Sequence, residues 1–227
     1  MAFKKQKEGL KMRVSHVELQ NIYDTFLTEK VKQAINEFMD QELDDTESMY
    51  STDCLWKADC TIGGIGAYCM PANPVKNPFP AGVKRELYRP LQYARSNIDI
   101  CDVRMQARYV IESVGMHLEA ACRLYLKSKS FLGGFKHNST TLGKAVRKIE
   151  KLGEFNDDII KAFFEFVTIY NRSKHEINQS VDRERMFNAC DAIVAYFAAR
   201  ELGIVILREL GVPESFNMYA ICEDIKL

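Results

Sequence analysis

The sequence has no surplus of either charge. Its 31 lysines and arginines are matched by 31 aspartates and glutamates, so no global field draws the chain towards nucleic acid or an anionic membrane, and any such partner must be met by a local patch. Long apolar runs are missing as well. None approaches the roughly 20 uninterrupted residues that a bilayer span needs, so a soluble chain without a membrane partner is expected. The opening stretch "MAFKKQKEGLKMR" is basic but lacks the segment of about 7–15 apolar residues that follows the charges of a secretory signal, which points to a cytoplasmic protein. Seven cysteines, an odd number, show no close pairing, and Cys122 and Cys190 fall inside helical patterns. Reduced thiols fit this better than a disulfide framework.

Several site chemistries are excluded by what is missing. There are four histidines, and no two share a helix at metal-ligand spacing; Cys54, Cys60 and Cys69 stand at wide, uneven gaps without a close Cys pair, so no metal is expected. The acidic run "DQELDDTES" has neither the ligand alternation nor the central Gly of a calcium loop and reads as a solvated turn. "GGIG" lacks the Lys-Ser/Thr of a phosphate-binding loop and the full dinucleotide spacing, and reads as a flexible turn. No cofactor is expected.

What is present is helical periodicity, in a chain of 227 residues that suffices for one substantial core. Ser15 can cap a first helix carrying Val17, Ile22, Phe26, Ile35, Phe38 and Met39 and ending near Met39. From Met49 to Pro90 the chain holds clustered Gly and all but one of its six prolines, which predicts loop rather than long helix. Residues 1–90 thus read as an N-terminal helix followed by an irregular Gly-, Pro- and Cys-containing region, and residues 91–227 as a helical bundle.

Within the bundle, a long helix is predicted from Gln92 to about Ser130, with Ile98, Met105, Tyr109, Val114, Leu118, Ala121 and Tyr125 near one face. "LGKAVRKIEKLG" follows with Leu142, Val146 and Ile149 at helical steps and Gly153 as terminator. Asn156 can cap "DDIIKAFFEFVTIY", whose two Asp residues suit the positive end of the helix dipole. Asp182 can cap the last helix, stopped by Gly211 and Pro213. That helix is apolar nearly all round between Ile193 and Leu207, which places it in a core or a subunit interface and leads to the expectation of a homodimer. The fold class is all-α, an antiparallel bundle with short connections.

The polar stretch "YNRSKHEIN", Tyr170 to Asn178, ends one of these helices. At 100° per residue Asn171, Arg172 and His175 fall on one side. An imidazole can move a proton near neutral pH and a guanidinium can hold developing negative charge, so the group is a candidate catalytic cluster for phosphodiester chemistry. A His and an Arg in a last turn also complement the negative end of the helix and need do no more. Tyr170, Lys174, Arg104 and Arg108 are candidate binding residues, although Arg104, Arg108 and Arg123 can equally pair with Asp99, Asp102, Glu112 or Glu119 along their own helix. His117, between Met116 and Leu118, reads as a satisfied core or groove histidine. The aromatics of "KAFFEFVTIY" read as core.

The order of elements from about Arg95 to Gly211, with "ESVGMHLEAACRLYL", then "GEFNDDIIKAFFEFVTIYNRSKHE" and a closing helix, resembles the HEPN family, small helical bundles common in bacterial defence and toxin–antitoxin systems. The family's hallmark is an Arg, usually followed by Asn, then three to five further residues and a His; active members resemble metal-independent ribonucleases in which Arg and His of two subunits meet across a dimer groove. His175 takes the place of the family His and Asn171 that of the polar residue after the Arg. The Arg position is held by Tyr170, so the motif is degenerate. The resemblance implies a dimeric module that binds a nucleotide, RNA or a partner protein, the alternative being a ribonuclease that uses His175 as base and Arg172, two residues beyond, as phosphate clamp.

Overall fold

The computed structural model describes residues 14–39, 83–99, 103–129, 140–175 and 186–210. Among them all regular secondary structure is helical, so the fold is all-α. Helix α1 (Val17–Asn21) runs into a π-helical turn (Ile22–Phe26). Then come α2 (Glu29–Met39), α3 (Val83–Asp99), α4 (Val103–Ser128), α5 (Leu142–Leu152), α6 (Asp157–Lys174) and α7 (Ala189–Glu209).

The predicted single N-terminal helix is in fact two. In the π turn the Leu27 amide donates to the Ile22 carbonyl at 3.1 Å, five residues back, and the chain leaves the helical path at Leu27. One extra residue in the turn lets Ile22 and Leu27 both reach the core. The helix end at Met39 agrees with the sequence reading. Ser15 does not cap α1: His16 occupies that position, and Ser15 bonds elsewhere.

The long helix expected from Gln92 to Ser130 is also two, and the first starts seven residues before Pro90. The expected loop region thus reaches Val83 at most, and residues 40–82 lie outside the described residues. Proline in a helix interior removes one hydrogen bond and crowds the preceding turn, at a cost of about 3 kcal/mol. Against this stand Leu87, Leu91, Ala94 and Ile98, a buried row at helical steps. Each leucine contributes roughly 1.5–3 kcal/mol on burial, so the row outweighs the proline. Helix α3 lies along α4.

Helix α4 is the hub, touching α3, α5, α6 and α7. On it Val114, Leu118, Ala121 and Tyr125 are buried as predicted, whereas Tyr109 is 53% exposed and belongs to the outer face. His117 is fully buried, a core histidine whose Nδ1 lies 2.9 Å from the Leu87 carbonyl. The i,i+4 spacing correctly anticipates Arg108–Glu112 and Arg123–Glu119.

Helix α5 ends at Gly153, whose φ of 66° is the left-handed cap read from the sequence. Its first amide is capped from another helix: Leu142 N donates to Glu119 Oε2 at 2.8 Å. Asn156 caps α6, accepting from Ile159 N at 2.9 Å. For α7 the cap is Asn188, which forms a reciprocal capping box with Asp191; Asp182, the residue expected there, lies outside the described residues, as do Gly211 and Pro213. Helix α7 is buried along its whole middle, from Asp191 to Arg200 and again at Leu202, Gly203, Ile204, Ile206 and Leu207. It is covered within one chain by α4, α6, α1 and α2. Its apolar circumference is explained without a second subunit.

Two glycines set how closely the helices meet. A Cβ at Gly115 of α4 would overlap the Tyr170 ring of α6, and one at Gly203 of α7 would stand 2.5 Å from His117 Nε2. Gly115→Ala should therefore destabilise the fold by about 1–3 kcal/mol, the usual range for overpacking a core, as read from urea unfolding. In a Tyr170→Ala background the same change should cost little, because the ring it strikes is gone.

Candidate functional site

The C-terminal turn of α6 carries the polar stretch, and its orientation is fixed by Tyr170, which is buried at 2% exposure against Gly115. Burial, and then the charge of Glu119, push its phenol above the ordinary range, so it stays neutral. One position later Asn171 faces solvent. Arg172, a further 100° round, faces α1. Its Nη2 lies 2.8 Å from Glu18 Oε1 and its Nη1 2.9 Å from Glu18 Oε2, a two-pronged pair. The same Nη1 is 3.5 Å from His16 Nδ1.

Lys174 returns to the side of Tyr170, its ammonium 3.6 Å from the ring centroid and 4.0 Å from Glu119 Oε2. Burial lowers its pKa, against the opposing pull of Glu119 and Glu112. His175 is no longer helical: at φ −90° and ψ 146° it caps α6 in an extended conformation, and its side chain is exposed. Arg108 of α4 ties this end down. It donates to Glu112 at 3.1 Å and to the carbonyls of Ser173 and His175.

The cluster expected from the helical wheel is thus not assembled. Arg172 turns to α1 and is paired with a carboxylate, Asn171 points outward, and His175 has left the helix on the side held by Arg108. Tyr170, Lys174 and Arg108 do come together, over α4, but as a packed ring, a cation stacked on it and a clamp on carbonyls. Arg104 lies in the first turn of α4, and its side chain falls outside the described residues, as do Cys54, Cys60, Cys69 and His137. Among the described residues no group of His, Cys, Asp or Glu is arranged to hold a metal ion. Cys122 is buried, which pushes its thiol well above the ordinary range and makes it a poor nucleophile.

What the sequence did not suggest is a cleft beside Arg172, of about 720 Å³, lined by Ser15, His16, Val17, Glu18, Arg172, Met186, Phe187 and Asn188. Its floor is the His16 ring stacked on Phe187, with centroids 4.5 Å apart and planes 27° from parallel. The partners assign the imidazole tautomer: Nδ1 accepts from Arg172, and Nε2 donates to the Met186 carbonyl at 3.0 Å. The segment bearing His16 is anchored by Asp191, fully buried at the start of α7, which accepts from Ser15 N at 2.8 Å, from Ser15 Oγ and from Asn188 N at 2.8 Å. Only the "SHVE" order, a histidine flanked by a hydroxyl and a carboxylate just before a helix, marked this segment in the sequence.

Comparison of the chain with family models, with curated proteins and with solved structures gives no significant match.

The Glu18–Arg172 pair is partly exposed, with side chains at 15% and 27%, so solvent screening limits its strength. A double-mutant cycle with Glu18→Ala and Arg172→Ala should give a coupling of about 1 kcal/mol, the upper end for such pairs. It should shrink in high salt. A coupling near zero would mean that the two side chains do not meet in solution.

Proposed function

We propose that the chain is a HEPN-like helical module that binds a nucleotide, an RNA segment or a partner protein and has no ribonuclease activity of its own, acting as an accessory component of the bacterial defence or toxin–antitoxin kind. The observation that carries this reading is the bidentate Glu18–Arg172 pair. The guanidinium is turned to α1, where a carboxylate holds it at 2.8 and 2.9 Å, so it does not stand beside His175 to clamp a phosphate for it, and the family's Arg position is a buried, neutral phenol. Loss of the motif's cation leaves the scaffold intact, which is what a binding role without catalysis requires.

The cleft favours a nucleotide among these ligands. It offers the ring of Phe187, backed by His16, to a base and the Arg172 guanidinium to a phosphate. The phosphate then competes with Glu18, so binding is coupled to opening of the ion pair. Homodimerisation belongs to the same proposal and is read by light scattering.

Purified protein incubated with mixed RNA should leave it intact. Cleavage that disappears in His175→Ala would overturn the non-catalytic reading and restore the ribonuclease alternative. Titration with ATP as probe nucleotide should show binding that Arg172→Ala weakens about tenfold, the loss of one charge-assisted contact; an unchanged isotherm would remove the cleft from the proposal.

A further inference from the structure

Helix α5 has one face in the core and a second of a single charge. Leu142, Ala145, Val146 and Ile149 are buried against α4 and α6. Opposite them Lys144, Arg147, Lys148 and Lys151 follow at steps of three, one and three, which places all four within about 100° of arc and along about 10 Å of helix. The first turn holds no carboxylate, and Glu150 alone on this helix is acidic.

Several basic side chains elsewhere among the described residues are paired. Lys32 pairs with Glu29, Arg108 with Glu112, Arg123 with Glu119, Lys129 with Glu154 and Arg172 with Glu18. Lys144, Arg147 and Lys151 are exposed and have no carboxylate partner among the described residues. In a chain whose charges sum to zero, this is a concentration of positive charge on one rigid, convex element.

We propose that the outward face of α5 is a sequence-independent contact surface for the phosphate backbone of double-stranded nucleic acid. A duplex presents about one negative charge per 1.7 Å of axis, so a row about 10 Å long meets several phosphates. Single strands are bound by grooves that add aromatic rings for base stacking, and α5 has no aromatic residue. A membrane-surface helix inserts its apolar face, and that of α5 is used up in the core. The stripe is separate from the cleft beside Arg172, and the proposal does not depend on it.

The test is fluorescence anisotropy with a labelled DNA duplex of about 20 base pairs over a salt series. Four phosphate contacts give a log–log slope of about −3.6, a loss of roughly a hundredfold in affinity between about 50 and 200 mM salt. The Lys144→Ala/Arg147→Ala/Lys151→Ala variant should bind more weakly, with a slope near −0.9 and a loss of only about threefold over the same range. Lys144→Arg/Lys151→Arg, which keeps the charge, should bind like wild type. Absence of duplex binding by the wild type at low salt, or an unchanged slope in the triple variant, would overturn the proposal. So would binding to phosphatidylserine vesicles without binding to the duplex, which would assign the stripe to a lipid surface.

Discussion

The close approach of α6, α4 and α7 governs the rest of this molecule. Tyr170 of α6 lies where Gly115 of α4 has no side chain, and His117 of α4 lies where Gly203 of α7 has none. With a methyl group at either glycine, the helices would have to separate or the rings leave the core. Because Tyr170 is seated there, the last turn of α6 has no rotational freedom. The helix repeat then sends Asn171 to solvent, Arg172 towards α1, Ser173 into the core and Lys174 back over the tyrosine ring. The polar stretch is thus arranged by an apolar contact. Tyr170 is thus the packing residue that turns Arg172 away from Asn171 and towards α1.

A second constraint places what Arg172 meets. Asp191 is a fully buried carboxylate, and burying such a charge is tolerable only with several donors around it. Two come from Ser15, which lies far away in the sequence, and one from the Asn188 amide within the capping box of α7. The same group therefore starts α7 and holds the N-terminal segment against it. With Ser15 fixed, His16 stacks on Phe187 and Glu18 reaches Arg172. The cleft exists because a helix cap and a tether share one carboxylate.

Features that depend on near neighbours in the chain were legible in the sequence. Gly153 as a left-handed stop, Asn156 as a cap, the i,i+4 pairs of Arg108 and Arg123, and the buried circumference of α7 all follow from residues a few positions apart. Those that depend on distant burial were not. Pro90 signalled the end of the loop region but lies inside a helix, because the buried row from Leu87 to Ile98 outweighs its lost hydrogen bond. The π turn after Asn21 has no local signature; it serves to bring Leu27 into the core. The helical wheel put His175 beside Arg172 only by assuming that the helix continued to 175, whereas Arg108, from another helix, holds the carbonyls of Ser173 and His175 and the chain leaves the helical path there.

The balance of charge over the whole chain conceals an uneven distribution. Arg108 and Arg123 are tied to carboxylates of α4 and at the same time to carbonyls of neighbouring segments, Ser173 and His175 for one, Thr140 for the other. Planar guanidinium groups suit this task, since one side chain can satisfy a carboxylate and a helix or loop end together. Arg108 and Arg123 are in this way engaged by the fold, and Arg172 is paired with Glu18. Lysines, whose single charge sits on a flexible stem, carry most of what remains outside, and on α5 three of the four basic residues are lysines. A long-range electrostatic attraction can act only through charge that the fold has left exposed. Among the described residues such charge is concentrated on α5, where Lys144, Arg147 and Lys151 are exposed, rather than at the helix end where the sequence pattern first drew attention.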